Sequence, residues 1–268
     1  MHYQKIYPSE RLAPFIKCYY HWEDAGNLLP LVVQSPPSGY EAMVFNYVDP
    51  YFVSKGPEGK KNVPASFYAG QHTSNYDLHL CGSIGMFGVV FRPAAFATLF
   101  RVSVKDTADQ QIPLDEILGL EGRQLTQRIL EAGSTGERVE VMNRFLLQKV
   151  WLASLHFSVA HRAAMLIDDR NGLISIQNLI GETGCCHRSL QRNFIEIVGV
   201  SPKFYTRIRR FSFISYRLMY HKDDWHELIY RGGYCDQSHL IKDFQFFNRE
   251  NPSAYLLQHN ELIRYLEK

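Results

Sequence analysis

Two short groups of polar residues carry the chemistry this sequence offers. Arg188, Gln191 and Arg192 fall within HRSLQRNF, and Gln237, Ser238, Lys242 and Gln245 within QSHLIKDFQ. A guanidinium can pair bidentately with guanine O6 and N7, and a glutamine amide with adenine N6 and N7, which is the chemistry of reading base edges in a duplex groove. Taken singly, each of these residues is equally at home on a solvated surface. The elements that present them together must decide.

Both groups sit on one side of a predicted helix. In the first, Leu190, Phe194 and Ile197 face inward and leave Arg188, Gln191 and Arg192 outside. In the second, read as a helix from about Asp236, Leu240, Phe244 and Phe247 fall at the i, i+4, i+7 spacing of a buried stripe. Its other face lacks the Glu and Lys pairs of an ordinary surface helix.

The two helices belong to a faint internal repeat. Leu179, Ile180 and Gly184 recur 49 residues later as Leu228, Ile229 and Gly233, and Leu190, Phe194, Pro202 and Tyr205 recur 50 residues later as Leu240, Phe244, Pro252 and Tyr255. Each copy reads as a short helix closed near a glycine, a tight turn, and a second helix that stops before proline. That is the helix-turn-helix plan, whose second helix can lie in the major groove. Between the copies, residues 201–221 read as one basic, aromatic-rich helix with Pro202 in its first turn, a semi-rigid spacer.

Charge follows the same division. Residues 1–160 hold 14 Lys and Arg against 15 Asp and Glu, whereas 171–222 hold eight against two and 223–268 hold five against eight. A basic stretch confined to the first unit and the spacer is the electrostatic footprint of a polyanion contact. Arg207, Arg209, Arg210 and Arg217 lie on different sides of the spacer, so they cannot all face phosphate. Arg210, followed by Phe211, is equally suited to hold the two units together through a buried pair.

RSLQRNFIEIVGVSPKFYTRIRRF (188–211) and GYCDQSHLIKDF (233–244) resemble the paired helix-turn-helix domain of the AraC family of bacterial transcription regulators, over roughly residues 160–258. The resemblance implies two reading units on adjacent major-groove segments of double-stranded DNA. It puts Gln237, Ser238 and Lys242 at base-contacting positions, with Lys203, Arg207, Arg209, His239 and Gln245 at the backbone or the edge of the interface. Three features depart from the family pattern: Ile180 and Ile229 replace a small alanine, Cys186 replaces the serine cap of the first reading helix, and Arg249 stands where the second unit usually keeps a glycine.

The N-terminal part has short runs of Val, Phe and Tyr separated by Pro, Gly and Asn, which predict strands at 15–23, 31–34, 41–48, 66–70, 75–82 and 85–93. Helices follow at 94–100, 114–119, 122–132 and 134–154. Strands first and helices afterwards predict an α+β domain, an antiparallel sheet or small cupin-like barrel, over residues 1–155, ahead of an all-α DNA-binding domain over 156–268. PSERLAPFIKCYYHWE, GVVFRPAAFATLF and QIPLDEILG resemble the sensor domain that precedes the DNA-binding unit in one branch of the same family. That likeness implies an unknown small-molecule effector, and in some members a homodimer. The aromatics Tyr19, Tyr20, Trp22, Tyr40, Phe45, Tyr47, Phe67 and Tyr68 suit either a half-buried sheet core or a pocket, for which His21, Trp22, Glu23 and His72 are the candidate ligand contacts.

Enzymatic signatures are missing from the sequence. It contains no G-x-x-x-x-G-K-[ST], G-x-S-x-G or H-E-x-x-H motif, and His21, His72 and His79 form no H-x-H pair, so neither a catalytic metal nor a cofactor is expected. The five cysteines have no metal-ligand spacing and are expected to be reduced thiols. No apolar run has the length of a membrane span, and MHYQKIYPSERLAP has no secretion-signal pattern, so a cytoplasmic regulator without a membrane partner is expected, RNA polymerase being a further possible partner. Two other readings remain at this level: a cupin-like small-molecule binding protein or enzyme with a vestigial DNA-binding domain, and a protein-interaction module.

Overall fold

The computed structural model describes residues 2–25, 30–57, 59–152, 157–220 and 225–252. Its first half contains ten strands: β1 (His2–Ile6), β2 (Ile16–Asp24), β3 (Leu31–Ser35), β4 (Ala42–Asn46), β5 (Phe52–Ser54), β6 (Lys61–Asn62), β7 (Ser66–Ala69), β8 (Tyr76–Leu80), β9 (Ile84–Phe91) and β10 (Gln111–Pro113). They form two antiparallel sheets, one of six strands in the order β1-β2-β9-β4-β7-β10 and one of four in the order β3-β8-β5-β6. The predicted strands are all present. Four others, β1, β5, β6 and β10, are additions.

Period-two alternation gives the larger sheet two different faces. One face carries Tyr19, Met43, Phe45, Tyr68, Phe87 and Val89 into a core shared with the helices α1 (Ala95–Phe100), α2 (Leu114–Leu118), α3 (Leu120–Glu131) and α4 (Thr135–Leu152). The other carries Trp22, Val44, Phe67 and Met86 against Val33, Val53 and Leu78 of the smaller sheet. The expected antiparallel sheet domain followed by helices is present, built as two packed sheets backed by helices. Ala153 and Ser154, the predicted end of the last of these helices, and the domain boundary near residue 155 lie outside the described residues.

The second half is helical: α5 (Val159–Asp169), α6 (Ile176–Thr183), α7 (His187–Val198), α8 (Pro202–Tyr220), α9 (Trp225–Arg231) and α10 (Gln237–Asn248). The repeat is visible as two helix pairs, α6-α7 and α9-α10. Gly184 closes α6 in the left-handed conformation at φ 67°, and Gly233 holds φ 60° in the turn after α9. Leu179, Leu190, Phe194 and Tyr205 form the core of the first unit; Leu228, Leu240, Phe244 and Phe247 pack with Ile208, Phe211 and Ile214 in the second. The spacer α8 thus contributes side chains to both cores, which fixes each unit to one rigid rod. Tyr255, the last member of the repeat, lies outside the described residues. No helix among the described residues is long and apolar enough to cross a membrane.

Candidate nucleic-acid interface and sheet cavity

On α7, Leu190, Phe194 and Val198 are buried, and Arg188, Gln191 and Arg192 are exposed together on the opposite side. Ile197, expected to face inward, is half-buried and packs between this core and that of the sheet domain. Cys186 caps α7 without a side-chain hydrogen bond, as expected of a thiol, whereas Asp236 caps α10 by accepting from the His239 backbone N–H at 2.8 Å. On α10, Gln237, Ser238, Lys242 and Gln245 are exposed opposite buried Leu240, Phe244 and Phe247. His239 is half-buried, its ring centre 5.2 Å from that of Tyr234 in an edge-to-face arrangement.

The arginines of α8 separate into distinct roles. Lys203, in the first turn, is exposed. Arg207 pairs with Asp243 of α10 at 2.7 Å while keeping 32% of its side chain exposed. Asp243 also accepts from the Tyr234 hydroxyl at 3.1 Å and lies 3.6 Å from Arg210, whose guanidinium rests 4.6 Å from the Tyr234 ring centre. Arg210 therefore ties spacer to second unit, one of the two roles its sequence position allowed.

Arg209 requires a correction. Expected near the DNA backbone, it is buried, with only 6% exposed, and forms a 2.8 Å ion pair with buried Asp168 of α5. Its Nη1 donates to the Ser38 carbonyl at 2.5 Å, and its stem passes so close to Gly39 that a Cβ there would meet Cδ at 2.3 Å. The Tyr40 hydroxyl donates to Asp168 at 2.9 Å, and the Tyr205 hydroxyl to the Gly39 carbonyl at 3.0 Å. Arg209 thus pins the spacer to the 38–40 loop of the sheet domain. The helical position of an arginine shows which side it occupies, not which surface covers that side.

The second unit is also pinned. The Asn75 N–H donates to the Phe247 carbonyl at 2.6 Å, and the Arg249 guanidinium donates back to the Asn75 carbonyl and lies 3.7 Å from Asp77. Arg249 adopts φ 61° at the end of α10, the left-handed conformation that Gly199 adopts at φ 82° after α7. The missing glycine therefore leaves the backbone shape intact.

Between the two sheets lies a cavity of about 190 Å³ whose far wall is α8, through Phe211, Ser212, Ser215 and Tyr216. Of the candidate ligand contacts, Trp22 and His72 line it. His21 and Glu23 do not, which corrects the expectation for both. They occupy the opposite face of β2, where the Tyr47 hydroxyl lies 2.6 Å from His21 Nε2 and donates to Glu23 at 2.8 Å, beneath the Arg138 guanidinium. The candidate aromatics divide by the same alternation: Tyr20, Trp22, Tyr40 and Phe67 line the cavity, and Tyr19, Phe45 and Tyr68 pack under the helices.

Lys17, absent from the sequence-level candidates, also lines the cavity, its amine 3.8 Å from the Tyr40 ring centre. Burial and the nearby Arg209 guanidinium push that amine down to about 8. Burial also lowers His72, against the opposing effect of Asp109 4.0 Å away. Period-two alternation could have placed Lys17 against the interior only at the bulge between Ile16 and Cys18, which breaks the register of β2 with β9 and is invisible in the sequence. Among the described residues there is no cluster of His, Cys, Asp and Glu that could hold a metal ion.

Residues 4–113 match a family model described as a domain of unknown function (DUF6597). A comparison with curated proteins finds no match. Among solved structures, the chain is similar to ToxT from Vibrio cholerae, at 13% identity over 88% of this chain and 98% of that one, with a TM-score of 0.48. It is also similar to ToxT from Vibrio cholerae O395 bound to (E)-4-(8-methylnaphthalen-1-yl)but-3-enoic acid, at 12% identity over 96% and 99% with a TM-score of 0.48. The AraC-like transcriptional activator CuxR matches at 13% identity over 78% and 93%, with a TM-score of 0.28.

Proposed function

We propose that this chain is a sequence-specific, double-stranded-DNA-binding transcription regulator of the cytoplasm, controlled by a small molecule held in its sheet domain. One observation carries the reading. Two helices, each with its Leu and Phe stripe sunk in its own core, expose amide, hydroxyl and cationic donors and are joined by a single rod that enters both cores. At 19 residues α8 is about 28 Å long, comparable to the roughly 34 Å between successive major-groove segments on one face of a duplex.

In this reading Arg188, Gln191 and Arg192 meet base edges in one segment and Gln237, Ser238 and Lys242 in the next. Lys203 faces phosphate, while Arg207 reaches it only by sharing its charge with Asp243. His239 and Gln245 stand at the margin of the second contact. Because the second unit is net acidic, the first unit and the rod supply most of the phosphate attraction, and affinity falls steeply with salt. The cavity wall formed by α8 supports effector control, since a molecule seated there touches the rod that positions both reading helices. The sequence resemblance adds RNA polymerase and a second copy of the chain as partners.

Selection of bound duplexes from a random pool tests the proposal. The expected product is a site with two constrained segments about 10 base pairs apart, centre to centre. A pool that shows no enrichment after repeated rounds, with binding that responds only to salt, would overturn it.

A further inference from the structure

Between the exposed polar groups of α7 and α10 the surface is continuous, and it changes character on the way. Lys242 and Phe246 stand one turn apart on α10, both exposed, and the Arg207 guanidinium of α8 lies 4.9 Å from the Phe246 ring centre. Arg207 and Lys203 are again one turn apart on α8, and Lys203 shares a cleft with Gln191 of α7. Phe246 therefore lies between Gln191 and Lys242, an apolar ring set among amide and cationic donors.

A single exposed phenylalanine is ordinary, but this one is held in a fixed orientation. It meets Phe204 edge-to-face at 6.0 Å and Phe247 edge-to-face at 5.0 Å, and the Arg207 guanidinium rests over its ring. Arg207 is drawn inward by buried Asp243 at 2.7 Å and keeps 32% of its side chain exposed, whereas Phe246 is 49% exposed. The more exposed group of the pair is the ring. An apolar ring carries no hydrogen-bond code, so what it can recognise on a duplex is shape: how closely the two sugar edges of a groove approach each other.

On one face of a duplex, a minor groove separates two successive major-groove segments. We infer that Phe246 is a specificity-determining residue, its ring packed against the sugar edges of this intervening minor groove, and that the protein thereby prefers A·T pairs at the midpoint of its site. This rests on the reading that α7 and α10 enter consecutive major-groove segments, and it assigns a role to the bases between them. A·T-rich sequence narrows the minor groove, which brings both sugar edges to the ring and deepens the negative potential that attracts the neighbouring Arg207. G·C pairs place the guanine N2 amino group in that groove and oppose the contact. The midpoint is then read without a hydrogen bond to any base edge.

The test is duplex selection with the full-length chain, followed by titration of three versions of the selected duplex that differ only at the midpoint, about 5 base pairs from the centre of each segment. The midpoint is A·T, G·C or inosine·cytosine; inosine keeps the major-groove edge of guanine and lacks its N2 amino group. The A·T duplex should bind about fivefold or more tighter than the G·C duplex, and inosine·cytosine should come within about twofold of A·T. Phe246→Ala should retain both enriched segments and reduce the A·T preference to less than about twofold, and Phe246→Tyr, which keeps the ring, should retain most of it. The inosine comparison uses the parent chain, so it holds whether or not the variants fold. The inference is overturned if the midpoint is unconstrained, if inosine·cytosine binds as weakly as G·C, or if a folded Phe246→Ala keeps the parent's preference. Two enriched segments alongside any of those results keep the regulator reading, and a pool with no enriched segment overturns both.

Discussion

Arg192 and Arg209 carry the same charge on neighbouring helices, and their surroundings give them opposite tasks. Exposed Arg192 keeps its hydration until a partner replaces it, whereas buried Arg209 needs a permanent carboxylate. Arg192→Ala is expected to weaken binding to a selected site by about 1 to 3 kcal/mol and to leave binding to random duplex nearly unchanged. Titration of both duplexes at one salt concentration reads this; equal losses would assign Arg192 to the backbone. Glu41 belongs to the same scale. Burial pushes its carboxyl up to about 8, although the Tyr68 hydroxyl donates to it at 2.8 Å. The folded chain keeps this proton through a range in which the unfolded chain has lost it, so stability falls as pH rises from the ordinary carboxylate range to about 8. Glu41→Gln retains an acceptor for Tyr68 and removes the ionisation. Its melting midpoint should decline less than that of the parent between about pH 5 and about pH 8, and parallel curves would show that Glu41 is ionised in both states.

At the scale of elements, the end of α10 shows how a local preference yields to a contact made elsewhere. A non-glycine residue in the left-handed region costs on the order of 1 kcal/mol, and Arg249 accepts it while its guanidinium reaches Asn75 and Asp77 across the domain boundary. Arg249→Gly removes both the strain and the clasp. The midpoint should therefore change little, while the Asn75 amide, donated to the Phe247 carbonyl, should exchange faster with solvent. Unchanged protection at Asn75 would assign the docking of α10 to its apolar contacts. The left-handed turn was foreseeable because Gly199 marks the equivalent point of the first unit, but the sheet-domain loop that rewards an arginine there is 174 residues away in sequence. Other elements divide along the same line. The six predicted strands and every helix but α5, which the sequence reading did not place, follow from two- and 3.6-residue periodicity, which is local. HYQKI, KN and QIP are too short or too polar to show a period, and become strands because β2, β5 and β7 offer them hydrogen-bonding edges. Division into two sheets was likewise illegible, since pairing order is set between distant segments. For the same reason the sequence grouped His21, Trp22 and Glu23 as ligand contacts, although alternation places Trp22 on the cavity face of β2 and the other two on the opposite one.

For the whole molecule, the decisive feature is that α8 belongs to three structures at once: the cores of both helix-pair units and the wall of the sheet cavity. The orientation of α7 and α10 relative to the sheet domain therefore depends on what anchors this rod. Apolar contact alone would let it slide, because dispersion and burial are non-directional. The Arg209–Asp168 pair, with the Ser38 carbonyl and the Tyr40 hydroxyl fixed around it, supplies direction at the middle of the rod. Breaking such a pair is costly because one charge remains buried. Arg209→Met should destabilise the chain by about 3 to 5 kcal/mol, and the double replacement Arg209→Met, Asp168→Leu should restore much of that loss, since two well-packed apolar side chains can equal a buried pair in stability. Denaturant titration of the single and double variants measures both. The restored double variant then isolates the directional role. With folding intact and the anchor gone, α8 is free to take alternative positions, and affinity for a selected two-segment site should fall relative to affinity for either segment alone. A double variant that keeps the full two-segment preference would show that the cores of the two units orient the rod without help from the sheet domain.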